Sequence, residues 1–298
     1  MQTLTVILLI VAMIAFARIL ERRWPIAVTP VSESIEDWKL VSINLVLTTL
    51  LAPITTVSSG IILSTLGHGW IRLPTDGYWY FVSIIILAVI SDLYTYIFHR
   101  LQHAVPFLWA MHSFHHSANS LTFVTGARHL WMERVMSSAV LPIIPILFQV
   151  PPDMQIIVSL IHFFPDTCAH LNVRFPMGRM ITVLNSPQWH RIHHSVMPEH
   201  RDKNFASLLP LWDILFGTAW IPKPDEYPVT GLDPPVRVSA LEGVIWPFRH
   251  LRLPTKRIAT PEVAGDRPAA PAVWNPDRSS IHSRGAGQDG ERQFFRLN

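Results

Sequence analysis

Three histidine clusters are the residues of this chain best suited to chemistry. His99 and His103 lie at i and i+4 in HRLQH, His112, His115 and His116 at i, i+3 and i+4 in HSFHH, and His190, His193 and His194 repeat that second pattern in HRIHH. On a helix the members of each cluster project from one face, which is a spacing that ligates metal. The sequence has 15 histidines in 298 residues, a density at which one HxxHH arises by chance roughly 0.04 times per chain. Two of them are not an accident of composition.

A catalytic zinc takes three protein ligands and a structural zinc four, so eight clustered imidazoles point to two metal ions. Imidazole suits iron, copper, zinc and nickel. The lone Cys168 excludes intramolecular disulfides, a cysteine-rich zinc site and an iron–sulfur cluster.

The elements that position these imidazoles are apolar. Hydrophobic residues make up 49% of the chain and charged residues 15%, with a mean hydropathy of +0.29. Soluble domains carry about 25% charge, so this composition is that of an integral membrane protein. Membrane spans are expected near residues 4–20, 41–66, 78–98 and 135–164. Pro53 marks a kink or hairpin point in the second. The fourth is broken by Pro142, Pro145 and the Pro151-Pro152-Asp153 turn, as in a packed hairpin or a re-entrant pair. Trp38, Trp70 and Trp79 flank the runs as an aromatic belt does.

Arg22, Arg23 and Lys39 follow the first span, Arg72 alone lies in the next loop, and Arg100, Arg128 and Arg134 follow the third. The positive-inside rule then puts the histidine clusters on the cytoplasmic face of a bacterial inner membrane or endoplasmic reticulum. Net charge is +3, but the cations are scattered, with no nucleic-acid-binding motif. The expected fold class is all-α: about four or more membrane helices forming one domain over residues 1–250, with a helical, histidine-rich cytoplasmic cap. Residues 251–298, rich in Pro, Gly, Arg and Ser, have the composition of a disordered tail.

Imidazole-bound metals where apolar helices leave the bilayer have access to a membrane lipid. The hard step on an aliphatic lipid is C–H cleavage, which takes a redox metal with dioxygen; zinc cannot supply it. A membrane zinc hydrolase on the same imidazoles is the alternative, with Glu133 as its nearest general base. A metal carrier is a third reading, although a transporter places its ligands at mid-membrane.

The order of the motifs resembles the sterol desaturase / fatty acid hydroxylase superfamily of membrane di-iron oxygenases. The likeness runs from Asp92 to Gly217: DLYTYIFHRLQH is similar to its first box, LWAMHSFHHS to its second, and HRIHHSVMPEHRDKNFASLLPLWDILFGT to its third box and the tract beyond, with Asn204-Phe205 and Trp212-Asp213. The resemblance implies metal ligation by His99, His103, His112, His115, His116, His190, His193 and His194, and by His170 in a His-x-Asn context. It also implies two irons, O2, a lipid that is hydroxylated or desaturated, and electrons from a separate reductase or carrier. No dinucleotide fingerprint or haem domain is evident in the chain.

Two departures stand out. Asp166 occupies the position where fatty acid 2-hydroxylases have a further histidine, which leaves it open as a carboxylate ligand, a partner of a ligand or simply a helix residue. The tract RHLWME keeps Arg128 and Glu133 of a sterol-type pattern, but places Leu130 at its histidine position and His129 one residue earlier. Metal-bound imidazoles usually donate their second N–H to an acceptor; Asp92, Asn119, Glu133, Asp202 and Asn204 are candidates. Asp92 is foremost because it lies a heptad before His99 in an apolar run. His200 is placed near the site.

Overall fold

The computed structural model describes residues 2–140 and 143–250; the tail expected from 251 onward lies outside the described residues. Helix α1 (Gln2–Arg23) covers the first apolar run, and α2 (Val31–Leu66) continues straight through Pro53 instead of turning back. At 1.5 Å per residue, the 36 residues of α2 exceed a bilayer core of about 30 Å. Its polar first turns, Ser32–Lys39, therefore extend beyond the apolar part. Helix α3 (Tyr78–Ala104) is one unbroken rod that carries the third apolar run at its start and His99 and His103 at its end.

Among the described residues, α2 and α3 are long and apolar enough to cross a membrane. Their outer surfaces fit that role, since Leu45, Leu50, Ile54, Phe81 and Ile85 are each more than 60% exposed, and large apolar patches are rarely left bare on soluble monomers. The fourth apolar region divides into α5 (Trp131–Val140), α6 (Ile143–Leu147) and α7 (Pro152–Ala169).

A two-stranded ladder departs from the all-α expectation. Parallel strands β1 (Ile71–Arg72) and β2 (Phe148–Gln149) pair, and the Arg72 Nε donates to Gln149 Oε1 at 2.8 Å. Two residues are too few for alternation to be read from sequence.

The turn that folds the first histidine cluster onto the second is set by Pro106. A residue before proline is pushed out of the helical region, and Val105 sits at φ −97°, ψ 120°, ending α3. Pro106 then occupies the first turn of α4 (Pro106–His116), where its missing N–H costs nothing. Helix α8 (Pro187–His193) starts the same way, with Pro187 in its first turn and Ser186 Oγ accepting Trp189 N–H at 3.1 Å. Short α9 (Leu211–Leu215) and α10 (Ala240–His250) are the last helices of the described residues.

Behind α4, Leu40, Met111, Phe114, Leu130, Ala240 and Trp246 form an apolar core. Gly243 lets α10 close onto it, since a Cβ there would lie 2.5 Å from Leu40 and 2.9 Å from Phe114. Beside this core, Arg128 is buried, donating to Asp37 Oδ1 and Ser117 Oγ, each at 2.9 Å, with its guanidinium 4.7 Å over the Phe114 ring. Removing one partner of a buried pair leaves the other uncompensated, so Arg128→Leu should destabilise the fold by about 3–5 kcal/mol. Arg128→Leu with Asp37→Leu should recover most of that loss. Thermal midpoints in detergent check both, and an unchanged midpoint for the single variant would refute the assignment.

Candidate metal centre

All nine ligand candidates come together, in two groups. His99, His103, His112, His116 and His193 form one; His115, His170, His190 and His194 form the other; within each group the candidate ligand atoms lie within 4.8 Å of one another. The HxxHH motifs do not deliver whole faces to one centre. Pairs at i, i+4 stay together (His99 with His103, His112 with His116, His190 with His194), while the middle members cross over, His115 to the smaller group and His193 to the larger.

The nitrogens face inward. Nε2 to Nε2 separations are 3.0 Å for His99–His112, 3.2 Å for His103–His116, 3.1 Å for His115–His170, 2.9 Å for His170–His190 and 3.1 Å for His190–His194. The outer nitrogens decide what those contacts are. His99 Nδ1 donates to the Phe205 carbonyl and His193 Nδ1 to the Lys203 carbonyl, both at 2.8 Å, and His112 Nδ1 lies 2.9 Å from Glu133 Oε1.

Carbonyls and carboxylates only accept, so these rings carry their proton on Nδ1 and present a bare Nε2 lone pair. Two lone pairs facing each other at 3.0 Å, as in His99 and His112, repel unless a cation lies between them. His193 Nε2 is likewise buried with no protein partner. The residues therefore fit a metal ion. With metal–nitrogen bonds of about 2.1 Å, ligands at right angles lie about 3.0 Å apart and tetrahedral ones about 3.4 Å; the observed separations match the former, as does a group of five.

Burial keeps the imidazoles neutral and available. It drives His115, His116, His190 and His194 well below the usual imidazole range, with neighbouring imidazoles adding to the effect. His193 is lowered to about 3 by burial, against the opposing bond to the Lys203 carbonyl. Burial raises Glu133, but the attraction of His129 and His112 prevails and holds it well below the usual carboxylate range.

The second tier differs in part from expectation. Glu133 does orient a ligand candidate: besides His112 it meets His129 Nδ1 at 3.1 Å and accepts from Gln102 Nε2 at 2.5 Å. His129 also stacks on His115, with ring centroids 4.3 Å apart, so the one-residue shift of this histidine still reaches the site, while Leu130 fills the core. Asp202 Oδ1 lies 3.3 Å from His103 Nδ1.

Among the described residues Asp92 makes no hydrogen bond to an imidazole. Its carboxylate accepts Leu208 N–H and Leu209 N–H at 3.0 Å and Trp212 Nε1–H at 2.8 Å, pinning the loop after the third box. Asn204, at φ +57°, donates to the Trp189 and Trp220 carbonyls and accepts Trp220 N–H. Asn119 donates to the Val236 carbonyl. His200 is held by Ser195 and Glu226, outside both groups. The Asp166 carbonyl, not its carboxylate, receives His170 Nδ1–H at 2.8 Å.

Sequence reasoning missed Gln102, although it stands at i+3 from His99. It also missed the Phe205 and Lys203 carbonyls, which no side-chain pattern signals. Asp213 holds the first of these in place, accepting Phe205 N–H at 2.8 Å and Ala206 N–H at 2.9 Å. A cavity of about 920 Å³ adjoins both groups through His99, His112, His115, His170 and His190, and extends along α2, α3 and α7.

Two inward-facing imidazole groups that could hold metal lie beside the end of α3, a helix long and apolar enough to cross a membrane. The fatty acid hydroxylase family profile matches residues 84–218, the stretch that holds every member of both groups, in keeping with the likeness to the sterol desaturase / fatty acid hydroxylase superfamily. Similar proteins include the alkylglycerol monooxygenases of Danio rerio, 29% identical over 60% of this chain and 39% of that protein, and of Homo sapiens, 31% identical over 60% and 38%. An ornithine lipid hydroxylase of Rhizobium tropici is 25% identical over 62% of this chain and 54% of its own length. The chain thus spans between about a third and about a half of the relatives it matches. No solved structure matches.

Loss of an orienting carboxylate typically lowers metal affinity by about 10–100-fold. Glu133→Ala is therefore expected to reduce metal retained after dialysis against a chelator, measured by mass spectrometry of the elements. Glu133→Gln should lose less, since its amide still accepts from His112. Equal metal retention in Glu133→Ala and wild type would remove Glu133 from the centre.

Proposed function

We infer that the chain is an O2-dependent oxidoreductase that hydroxylates a membrane lipid. The observation that carries this reading is the junction of two inward-facing imidazole groups with a large cavity running between apolar helices. One iron would be held by His99, His103, His112, His116 and His193, and a second by His115, His170, His190 and His194. Iron bound there, with dioxygen, supplies the oxidising power that cleavage of an aliphatic C–H bond demands.

The chain's residues do the rest. The carbonyls of Phe205 and Lys203 and the carboxylate of Glu133 keep the Nε2 atoms bare and aimed inward. Helices α2, α3 and α7 hold the lipid in the cavity and keep bulk water from the reacting carbon. The similar proteins are named as a monooxygenase and a hydroxylase, which favours oxygen insertion over desaturation. Their substrates by name, an alkylglycerol and an ornithine lipid, are polar lipids, and a polar lipid is the class inferred here.

The electrons come from a separate reductase or carrier. The membrane unit is residues 1–250, with α1 and the α5–α7 region adding to the spans on α2 and α3. Arg22, Arg23, Lys39 and Arg100 mark the cytoplasmic side. The zinc-hydrolase reading loses its base, because both Glu133 oxygens are bonded to His112, Gln102 and His129.

Lipid mass spectrometry of cells expressing the chain with a matched reductase should reveal a lipid heavier by about 16 mass units, an inserted oxygen atom. That lipid should be absent with His193→Ala and absent without oxygen, while the variant still inserts in the membrane. Turnover under strictly anaerobic conditions, or a fully active His193→Ala protein, would defeat the proposal.

A further inference from the structure

The cavity beside the imidazoles is not uniformly apolar, as a tunnel for a plain alkyl chain would be. Gln155, Ser159, His162 and Asp166 line it at intervals of four, three and four residues along α7, in register with His170 one turn further on. They form a polar stripe on one face of the helix. The other face carries Ile156, Leu160 and Phe164 at 61%, 59% and 59% exposure, as contact with lipid requires. Polar groups facing the interior of a membrane helix are costly unless they have a task.

Asp166 is the member of the stripe nearest the metal-binding groups. It lies one helical turn, about 6 Å of rise, from His170, and its backbone is fixed there by the His170 Nδ1–H bond to its carbonyl at 2.8 Å. Its carboxylate borders the cavity and accepts no hydrogen bond from any described residue. The side chain is half-buried and no described residue donates to it, so the carboxylate is open to a donor carried by a molecule in the cavity.

We propose that Asp166 reads a hydrogen-bond donor on the substrate, an O–H or N–H group close to the carbon that reacts, and thereby selects which lipids are accepted. This rests on the lipid hydroxylase reading and narrows it: the substrate is an amphiphile with a donor next to the reacting carbon, not a bare hydrocarbon segment. The tail lies against Leu87, Ile144, Val150 and Val158 on the apolar side of the same cavity. Two turns beyond His170, His162 presents its Nε2 to the Ala88 carbonyl at 3.1 Å and leaves Nδ1 buried without a partner, so the polar stripe continues past the first contact.

The test is equilibrium binding to the full metal-loaded chain in lipid nanodiscs, read without turnover. The probes are 1-O-hexadecylglycerol, its 2,3-di-O-methyl ether and hexadecylamine. Wild type should bind the free diol roughly tenfold or more tightly than the methylated form, as a hydrogen bond to a charged group provides. Asp166→Ala should bring the two within about twofold, with metal content and affinity for the methylated probe unchanged. Asp166→Asn, which keeps an acceptor oxygen, should retain part of the preference. Should hexadecylamine bind more tightly than the diol and lose that preference in Asp166→Ala, the donor read is an ammonium and not a hydroxyl.

Equal binding of the diol and methylated probes by wild type, or discrimination that survives Asp166→Ala, would overturn the proposal. So would loss of metal in Asp166→Ala, which would make the carboxylate a ligand. A chain that discriminates the probes yet never consumes oxygen would sink the hydroxylase reading and leave the recognition role standing.

Discussion

Bare imidazole lone pairs pointed at one another in a desolvated interior are the constraint from which the rest of this structure follows. Water cannot relieve them, because the rings are buried, and protonation is opposed by the same burial and by the neighbouring rings. For His99, His112, His170 and His193 the far side of the ring decides the direction, whereas Nδ1 of His115, His190 and His194 is buried without a partner among the described residues. A carbonyl or carboxylate on Nδ1 fixes the tautomer, the orientation and hence the free Nε2. The geometry is thus written in acceptors that are themselves anchored, and the anchoring reaches well into the helices.

The loop from Arg201 to Trp220 shows how that anchoring is arranged. It supplies the Lys203 and Phe205 carbonyls to His193 and His99, and bends sharply to do so, with Asp202 at φ +56° and Asn204 at φ +57°. Such backbone is unfavourable for most residues but open to Asp and Asn. Three buried side chains hold the loop in that shape: Asn204 bonds to Trp189 and Trp220, Asp213 takes the Phe205 and Ala206 amides, and Asp92 ties Leu208, Leu209 and Trp212 to the middle of α3. A membrane helix that carries an acid in an apolar stretch is thus coupled to the imidazoles through a loop and not by contact.

That coupling explains what the sequence made legible and what it did not. Histidine spacing reveals identity, since an i, i+3, i+4 pattern survives any packing, and all nine candidates, His170 included, fall in the two groups. Spacing does not reveal allocation. His115 and His193 join the group opposite to their neighbours, because the crossing of α4, α7 and α8 decides which centre an i+3 residue meets. Asp92, expected as the foremost partner of an imidazole, instead takes its partners from a segment more than a hundred residues away, which helical periodicity cannot supply. His200 shares the composition of the third box and still packs with Ser195 and Glu226. Backbone acceptors such as the Phe205 carbonyl carry no residue-type signal at all, and a two-residue ladder has no pattern to detect.

The two groups are also unlike in their surroundings, and this gives the centre a direction. The four imidazoles of the smaller group are all buried, and three of them, His115, His170 and His190, border the cavity. In the larger group His103 is the one member not buried, and its Nδ1 meets Asp202, whose side chain is 73% exposed. The centre therefore opens toward solvent through a single polar contact at His103, and through cavity-lining imidazoles of both groups toward a space bounded by α2, α3 and α7. The polar stripe of α7 lines that space from Gln155 to Asp166, the member nearest the imidazoles. On the proposed reading, an amphiphile entering from the bilayer would meet apolar walls along its tail and hydrogen-bonding groups along its polar part, so depth of insertion would be set by chemistry at both ends. A bare chain could slide along apolar walls, whereas a lipid with a donor beside its reacting carbon has one register in which its polar groups and its tail are satisfied together.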